Sequence, residues 1–278
     1  MQRDKQHPLS QAFDKVWHDG LLYKIKHILP LYFDLMRSHL RDRTFHTSVK
    51  DHTSITFPIT AGVPQGSVLG PILYVLCTSD LPKTNCTTTG IIADDTSILA
   101  AHNDPHTATQ YLQYHLDLLQ EWLHKWIIKI NATESVQITF TLRKGQCPPV
   151  SITNTELPVG NTIKYLGIHL DQKLNWKEHI IRKPKQVKLK VKDLYWLIGR
   201  KSPLLLENKL FLYKTIIKPI WIYGIEIWGC ASKSSKAILQ KTQSTTLRMM
   251  TDAPRYVTNL TLHDDHKIAF VRDVITDR

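Results

Sequence analysis

Two adjacent acidic side chains stand at a point where the chain is expected to reverse direction. Asp94 and Asp95, with Thr96, separate two short apolar segments, residues 91–93 and 97–99, which predict the strands of a hairpin. Neighbouring carboxylates resist double ionisation unless a cation neutralises them. Mg²⁺ commonly takes one or two protein carboxylates and completes its shell with water and substrate phosphates. The pair indicates a metal site, although a lone pair of this kind is more typical of a solvated turn.

A glycine-containing loop, residues 61–66, precedes an apolar segment that predicts a buried helix over residues 67–81. The glycines allow the backbone to approach a ligand closely. Ser67 is placed to cap the helix, whose N-terminus attracts phosphate groups. Taken alone, the loop is also typical of an ordinary loop-to-helix turn, so it gains weight only beside the acidic pair.

The positive charge of the chain is concentrated in one segment. Lysine and arginine number 36 against 24 acidic residues, a formal net charge of +12. Residues 1–176 hold 16 basic and 15 acidic side chains, residues 177–218 hold 12 and 3, and residues 219–278 hold 8 and 6. Because neutralising a phosphate releases condensed counterions, the excess favours a nucleic-acid partner. The alternative is a solvated helix face.

Six side chains form what we call the basic segment: Arg182, Lys183, Lys185, Lys188, Lys190 and Lys192. The apolar residues between them predict a helix with one buried face. These residues are Val187, Leu189, Val191 and Leu194. Pro184 is expected to interrupt this helix, since proline removes a ladder hydrogen bond.

Length and composition bound the class of protein. A chain of 278 residues predicts two domains or one large lobe with an extension, and 42% hydrophobic with 22% charged residues is typical of a folded protein. The four cysteines form no Cys-x-x-Cys pair, which argues against a disulfide framework or a zinc ribbon. The longest apolar tract, residues 216–228, is shorter than the ~20 residues that span a bilayer. We therefore expect no membrane partner.

Hydrophobic periodicity predicts an α+β architecture, in which helices pack on one face of an antiparallel sheet and a helical region follows residue 176. Residues 21–40 predict a helix broken at Pro30, and residues 44–58 predict a pair of short strands. Asp104, directly before a proline, is expected to begin a long helix.

Two further strands are predicted before the helical region. Apolar and polar residues alternate over residues 136–142, which predicts a half-buried strand with Gln137 on its polar side. Residues 163–165 and 168–170 flank Gly167, which predicts strands joined by a sharp bend.

Four segments, taken together and in this order, carry a family resemblance. They are SQAFDKVWHDG at residues 10–20, AGVPQGSVLGP at 61–71, IADD at 92–95, and YLGI at 165–168 with Asp171. They resemble the successive motifs of the reverse transcriptases of non-LTR retrotransposons, most closely those of jockey-like elements of arthropods. The resemblance covers nearly the whole chain and implies part of a right-hand polymerase fold.

This resemblance divides the chain into three parts. It implies a palm over residues 1–145, strands of the primer-grip region over 146–176, and a basic helical thumb with a C-terminal extension over 177–278. Because the similarity begins inside the first palm motif, we expect the fingers to be missing.

The resemblance also implies roles for individual residues. It makes Asp94 a ligand of the catalytic Mg²⁺ ions, with Asp95 beside it. It matches Phe13 to the aromatic residue that blocks a nucleotide 2′-hydroxyl, and it matches Gln65 and Gly66 to the loop that contacts the incoming nucleotide and the template. The implied substrates are deoxynucleotides, an RNA template and a DNA primer.

The primer grip is implied at Tyr165, Leu166 and Gly167. The basic segment then becomes the thumb surface that follows the template-primer backbone, which agrees with the charge distribution. Contacts to phosphates position a nucleic acid without reading its sequence. Nuclear residence is implied by the life cycle of such elements and not by a targeting signal.

Two positions depart from the family pattern. The family places a metal-binding aspartate five residues before the aromatic matched by Phe13, and this chain has Pro8 there. Proline offers no side-chain oxygen to a metal and no N–H to a central strand, so Mg²⁺ binding is expected to be impaired. Glu134 stands where the family usually carries a lysine beside the leaving pyrophosphate, and its charge is unsuitable there.

Three interpretations stay open at this point. In the first, the chain is part of an RNA-directed DNA polymerase that extends a DNA primer by Mg²⁺-dependent nucleotidyl transfer, and this copy is inactive. In the second, it is a catalytically dead, nucleic-acid-binding remnant of a retrotransposon. In the third, the protein is longer and the missing aspartate and fingers are encoded upstream.

Two other features are expected to be structural. His263 and His266 flank two aspartates in a pattern that superficially resembles a metal cluster. Trp221, Tyr223 and Trp228 stand among isoleucines, which favours a place in the core of the helical region over base stacking.

Overall fold

The computed structural model contains two compact units. It describes residues 13–64, 66–93, 95–132, 134–143 and 145–277. The first unit runs to Gly160 without residues 140–143, and the second joins residues 140–143 to the chain from Asn161 onwards. The boundary expected near residue 176 falls inside the second unit, because the hairpin of residues 162–171 packs on the helix that follows it.

Helices account for most of the regular structure. In the first unit they are α1 (His18–Ile28), α2 (Phe33–Leu40), α3 (Leu69–Cys77) and α4 (Pro105–Lys125), with short 3-10 turns at Phe13–Lys15 and Pro30–Tyr32. In the second unit they are α5 (Lys177–Asp193), α6 (Tyr195–Ile198), α7 (Leu206–Leu212), α8 (Lys218–Ile222), α9 (Ile225–Trp228), α10 (Lys233–Thr251), α11 (Asn259–Asp265) and α12 (Val271–Thr276). A π-helical turn, Tyr213–Ile217, joins α7 to α8.

The strands of the described chain pair as two-stranded antiparallel ribbons. They are β1 (Thr44–Phe45) with β4 (Phe57–Pro58), β2 (Ser48–Val49) with β3 (His52–Thr53), β5 (Thr87–Ile92) with β6 (Asp95–Ala100), β7 (Ser151–Ile152) with β8 (Thr155–Glu156), and β9 (Thr162–Tyr165) with β10 (Ile168–Asp171). The expected mixture of helices and antiparallel strands is confirmed. Within the described residues the strands remain separate ribbons and do not assemble into the single sheet that we expected.

The N-terminal helices follow the sequence pattern. α1 ends at Ile28, and Pro30 begins a short 3-10 turn that leads into α2, because its ring cannot continue the helical ladder. Leu21 and Ile25 of α1 lie in one core with Leu73 of α3. This core anchors the segments on either side of the glycine-containing loop.

The expectation that α3 is a buried helix is only half correct. Leu73 and Tyr74 are buried, whereas Ile72 and Val75 of the same helix, and Val68 just before it, are more than half exposed. α1 covers one face of α3, and the opposite face stays apolar and open among the described residues.

The ribbon of β5 and β6 confirms the hairpin expected around the aspartates. Its register pairs Ile92 with Asp95, so residues 93 and 94 alone connect the strands. Ala93 adopts a φ of +51°, the left-handed conformation that tight hairpin turns require. Asp95 is the first residue of β6 and directly follows this connection, whereas Asp94 lies outside the described residues.

Helix α4 supports this ribbon from one side. Asp104 begins the helix as expected, because its carboxylate accepts a hydrogen bond from the Thr107 N–H at 2.8 Å. Leu116 and Leu119 then belong to a buried core against which Ile98 of β6 packs.

The strand predicted over residues 136–142 is wrong. The backbone forms only an isolated bridge at Gln137, and the burial pattern is inverted, with Gln137 buried and Val136 45% exposed. The Gln137 amide donates to the Pro148 carbonyl and accepts from the Val150 N–H, both at 2.9 Å. A buried amide that satisfies two backbone groups outweighs the apolar alternation here.

The aromatic and isoleucine-rich tract forms the core of the second unit. Trp221 and Trp228 are buried there together with Tyr213 and Ile217, which confirms the expectation for the two tryptophans. Tyr223 is 52% exposed and contradicts it. None of the helices in the described part of the chain is both long enough and apolar enough to cross a membrane.

The interruption predicted at Pro184 does not occur. α5 continues through this residue, which is buried in the helix interior. Its flanking residues Ile180 and Val187 are also buried in the main core, and this packing holds the helix on both sides of the missing N–H. Leu189, placed on the buried face by the sequence pattern, is 63% exposed, so that assignment was wrong.

A buried lysine connects three helices of the first unit. Lys24 of α1 is 5% exposed and donates to the Cys77 carbonyl at the end of α3 and to the Asp80 carboxylate. Its ammonium also lies 3.7 Å from the ring centroid of Trp126, and Trp122 donates to Asp80 at 2.9 Å. The charge is thus paired, hydrogen-bonded and covered by aromatic faces.

We expect Asp80→Asn to lower the free energy of unfolding at pH 7 by about 1–3 kcal/mol, because it leaves the Lys24 ammonium buried without a charged partner. Burial alone would raise the pKa of Asp80, but hydrogen bonds from Lys24 and Trp122 outweigh it and hold the pKa below its ordinary value. The contribution is therefore present above the unfolded-state pKa and is lost as the pH falls through the folded-state pKa.

Urea unfolding followed by circular dichroism from pH 7 to pH 3 measures this difference. The control is Asp34→Asn, which breaks an exposed i,i+3 pair with Arg37 and should change stability by less than about 0.5 kcal/mol. Equal effects of the two variants would contradict the role of the Lys24 junction.

Pro184→Ala should stabilise the second unit by about 1 kcal/mol. An alanine at position 184 supplies an N–H that can donate to the Ile180 carbonyl, which recovers much of the ~3 kcal/mol cost of an interior proline. The loss of ring packing and the greater freedom of the unfolded chain offset part of this gain. Thermal unfolding provides the measurement. Pro203→Ala, at an exposed loop proline, is the control, and it should be neutral or slightly destabilising. A loss of stability in Pro184→Ala would show that ring packing dominates.

Candidate nucleic-acid interface

The first motif segment and the glycine-containing loop lie side by side. The Val63 N–H donates to the Phe13 carbonyl at 2.7 Å, and the Gly62 N–H donates to the Val16 carbonyl at 2.8 Å. Gly62 has a φ of +94°, and a Cβ there would stand 2.8 Å from the backbone of Asp14. Only glycine allows this approach, so the residue type itself brings the two motifs together.

Phe13 and Ser67 occupy defined positions beside this contact. The Phe13 ring stacks on Tyr74 of α3 at a centroid distance of 4.5 Å. The Ser67 hydroxyl accepts from the Gly70 N–H at 3.0 Å and donates to the Pro64 carbonyl at 2.9 Å. The helix begins two residues later than expected, with Val68 and not Ser67 at its N-cap, although the Ser67 hydroxyl still satisfies one N–H of its first turn.

The loop keeps an open approach at one glycine. Gly66 is exposed with a φ of +81°, and no described atom lies within 4 Å of the place where its Cβ would stand. Gln65, assigned to the same contact, lies outside the described residues. The backbone at Gly66 is therefore open on this side among the described residues, and its assigned contact with the nucleotide and the template stays a prediction.

The metal assignment rests on residues that the structure describes only in part. Asp95 is half-buried in β6, opposite Ile92, whereas Asp94 and Pro8 lie outside the described residues. Across the described ranges, no three His, Cys, Asp or Glu side chains form a group that could hold a metal ion. Two neighbouring aspartates and a proline are too few oxygen donors for a pair of Mg²⁺ ions. The donor set does not fit the two-metal arrangement of the family.

Glu134, the second departure from the family pattern, is exposed. Its N–H donates to the Asn131 carbonyl at 3.2 Å in a turn after α4. None of the ion pairs among the described residues involves Glu134, so no cation offsets its negative charge there.

The turn assigned to the primer grip is tightly held. β9 and β10 pair in register with Tyr165 opposite Ile168, and Leu166 and Gly167 adopt φ values of +47° and +78°, as a two-residue turn of this hand requires. The Tyr223 hydroxyl donates to the Leu166 carbonyl at 2.6 Å. The expected strands with a sharp bend are confirmed, and an aromatic residue after α8 fixes their turn.

Tyr223 is itself fixed from two sides. Its carbonyl accepts from the Trp228 indole N–H at 3.0 Å, and its ring lies 3.2 Å from the position of a Cβ at Gly167. The Lys183 ammonium is 5.3 Å from the ring centroid. These contacts hold the Tyr223 ring between the hairpin turn and α5.

A neutral histidine docks the other strand of the hairpin on α5. The His169 backbone N–H donates to Nδ1 of His179 at 3.2 Å. Burial, and after it the nearby charges of Lys183 and His169, lower the pKa of His179 to about 4. His179 is therefore neutral at pH 7 and can accept this hydrogen bond.

A carboxylate joins the end of the hairpin to the start of α5. Asp171 accepts from the Asn175 N–H at 3.0 Å and from the Trp176 N–H at 2.9 Å. These are donors in the loop that enters the helix, and a carboxylate near a helix N-terminus is favourable. The hairpin and α5 thus form one rigid element.

The basic segment divides into exposed and buried members. Arg182, Lys185, Lys188 and Lys192 are exposed, and Lys190 is half-buried. Lys183 is 5% exposed, and burial lowers its pKa. Its ammonium serves the Tyr223 ring, so the assignment of Lys183 to the phosphate-contacting surface was wrong.

Sequence reasoning missed Tyr223 and His179 as the residues that hold the hairpin. The sequence did carry a signal for Tyr223, namely the glycine that follows it, which indicates a turn. In the structure Gly224 has a φ of +72°, and the turn leaves the Tyr223 ring outside the core. His179 carried no such signal, since its partner is a backbone N–H. His263 near the C-terminus is structural as expected, since it is buried and stacks on Phe270 at 4.1 Å.

The chain is similar to known proteins over most of its length. A family model described as reverse transcriptase (RNA-dependent DNA polymerase) matches residues 8–170. The chain is 40% identical over 275 residues to the RNA-directed DNA polymerase from mobile element jockey of Drosophila melanogaster, a match that covers 95% of this chain and 30% of that protein.

Two further relatives from Drosophila melanogaster are similar over the same extent. Identity is 39% over 273 residues to the probable RNA-directed DNA polymerase from transposon X-element, covering 96% of this chain and 30% of that protein. The chain is 37% identical over 279 residues to the probable RNA-directed DNA polymerase from transposon BS, and this match covers 96% of this chain and 31% of that protein. The chain spans about a third of the length of these relatives. Since the family model matches more than half of its residues, the chain belongs to the reverse transcriptase family, and the relatives it resembles are jockey-like polymerases of non-LTR retrotransposons.

Proposed function

We propose that this chain holds an RNA template paired with a DNA primer, as part of an RNA-directed DNA polymerase of a mobile element. The first unit corresponds to the palm, and the second unit corresponds to the thumb with the β9–β10 hairpin as its primer grip. The exposed cations on one face of α5 carry the proposal, because they belong to the same rigid element as the hairpin turn.

The geometry of α5 suits a phosphate backbone. Lys185, Lys188 and Lys192 recur at intervals of three and four residues, so they lie along one side of the helix. All three are exposed, and none forms an ion pair with a residue that the structure describes. Their charge is therefore available to a polyanion, whereas Arg182 is already 3.8 Å from the Glu178 carboxylate.

The turn of the β9–β10 hairpin supports a role in positioning the primer near the start of α5. Leu166 and Gly167 are held by Tyr223, and the strand that follows is held by His179. A turn with both residues in the left-handed region and a fixed carbonyl presents the same backbone surface each time a ligand binds. Such rigidity fits a primer terminus that must be held within a fraction of an ångström.

The first unit supports the same assignment with a nucleotide-binding surface. Phe13, the Gly62 contact and the open backbone of Gly66 lie on segments joined by direct hydrogen bonds. Mg²⁺ would supply charge neutralisation of the nucleotide phosphates. The donors of this chain do not complete a two-metal site, so we propose that it binds template-primer without incorporating nucleotides.

Replacing Lys185, Lys188 and Lys192 together with alanine should weaken binding to an RNA–DNA duplex and reduce its salt dependence. Each phosphate contact contributes about 0.9 to the slope of log affinity against log salt, so the slope should fall by about 2–3. Filter binding at several salt concentrations measures it. The matched control replaces Lys233, Lys241 and Arg255, which are also exposed and remove the same charge. Equal slopes in the two variants would contradict the proposal.

The chain should not extend a DNA primer on a homopolymer RNA template in the presence of Mg²⁺, because Pro8 supplies no carboxylate. A gel assay with labelled deoxynucleotides detects extension, and a retroviral reverse transcriptase run in parallel shows that the template is competent. Extension that is lost in Asp94→Asn would show that the acidic pair suffices, and it would replace the binding role by a polymerase activity.

A further inference from the structure

One tryptophan of the chain is displayed to solvent. Trp196 is 73% exposed, and the next most exposed tryptophan, Trp17, is 38% exposed. The other five of the seven tryptophans are at most 9% exposed. A side chain of this size is normally largely buried, so its exposure at one place needs a reason.

Trp196 stands at the end of the cationic face of α5. It follows Lys192 by four residues, and only Leu194 separates α5 from α6. The Leu194 N–H donates to the Lys190 carbonyl at the end of α5, and the Leu194 carbonyl accepts from the Ile198 N–H at the start of α6, both at 3.0 Å. Leu194 therefore joins the helix that carries the lysines directly to the short helix that carries the indole.

The surface leading to Trp196 mixes cations with exposed apolar groups. Lys185, Leu189 and Lys192 share one face of α5 at positions i, i+4 and i+7, and Leu189 is 63% exposed. Tyr195 beside the indole is 49% exposed. Lys201, shortly after α6, adds a further exposed cation.

The chemistry of this surface selects its ligand. An exposed aromatic with apolar neighbours by itself suits a protein surface equally well. Here the aromatic stands within a segment of 12 basic and 3 acidic residues, which attracts a polyanion and repels cationic surfaces. A single-stranded nucleic acid fits both features of this surface. Its phosphates contact lysines, and its unpaired bases, whatever their sequence, stack on aromatic rings.

We propose that Trp196 is a stacking platform for an unpaired base, at the end of the α5 lysine face. This surface, formed by Lys185, Leu189, Lys192, Tyr195 and Trp196, then adds contacts to an unpaired strand beside the duplex that the lysines hold in the proposed function. Bases inside a duplex already stack on their neighbours and cannot offer a free face. The inference rests on the proposed function, because it uses the same lysines to hold the backbone, and it adds the strandedness of the ligand.

Trp196→Ala should weaken binding to a 12-nucleotide oligoadenylate by roughly 10-fold, within the range observed for loss of one stacked base. Binding to a duplex of the same length should change by less than about 2-fold, and the salt slope should stay the same, because no phosphate contact is removed. Fluorescence anisotropy of labelled oligonucleotides, with the full chain, gives all three values. Trp196→Phe should retain most of the affinity, since phenylalanine still offers a stacking face.

The control is Tyr256→Ala, which removes an 85% exposed aromatic outside the basic segment and should leave single-strand binding unchanged. Tryptophan emission gives an independent reading, because stacking should quench the exposed Trp196 and the quenching should disappear in Trp196→Phe. Circular dichroism confirms that the variants are folded.

The outcomes separate this inference from the proposed function. If Trp196→Ala binds single strands as the unchanged chain does, the stacking platform is wrong, while the lysine variants can still support the proposed function. If the lysine variants leave the salt slope unchanged but Trp196→Ala weakens single-strand binding, the proposed function fails and the platform stands. Concentration-dependent self-association of the free chain that Trp196→Ala abolishes, with no change in oligonucleotide binding, would assign the surface to a second copy of the chain and overturn the inference.

Discussion

The docking of the β9–β10 hairpin on α5 is the contact on which the proposed interface depends. Its polar contacts are the Tyr223 hydroxyl on the Leu166 carbonyl, the His179 ring on the His169 N–H, and the Asp171 carboxylate on the start of the helix, and Ile168 and Leu170 add apolar packing on the core. Each polar contact satisfies a backbone hydrogen-bonding group of the hairpin or of the loop that enters the helix. Together they make the turn and the cationic helix a single element.

Buried positive charge is handled in the same way in both units. Lys24 in the first unit and Lys183 in the second are each 5% exposed, and each places its ammonium near an aromatic ring. A buried ammonium is tolerated only when hydrogen bonds, an anion or a π-face replace its water. These two lysines therefore stabilise the fold, whereas the exposed lysines of α5 remain available to bind a ligand.

The pattern of the sequence predicted elements well where one physical effect dominated. Pro30, Asp104 and Gly167 each act through local backbone chemistry, and the structure has a break, a cap and a turn at these places. Prediction failed where packing competes with a local rule. Pro184 lies inside a helix because its neighbours are anchored in the core, and Gln137 is buried because two backbone groups distant in sequence need its amide.

By itself, the amino-acid sequence determined the family, the concentration of positive charge and the places where the chain turns, because these depend on residue type and on neighbours along the chain. Only the tertiary structure decided which basic side chains face water, which aromatic residue holds the hairpin and which tryptophan is displayed. Those properties depend on contacts between segments far apart in sequence. Lys183 and Lys185, two residues apart, have opposite surroundings, because Lys183 shares the buried face of α5 with Ile180 and Val187 and packs beside Tyr223 from a distant segment.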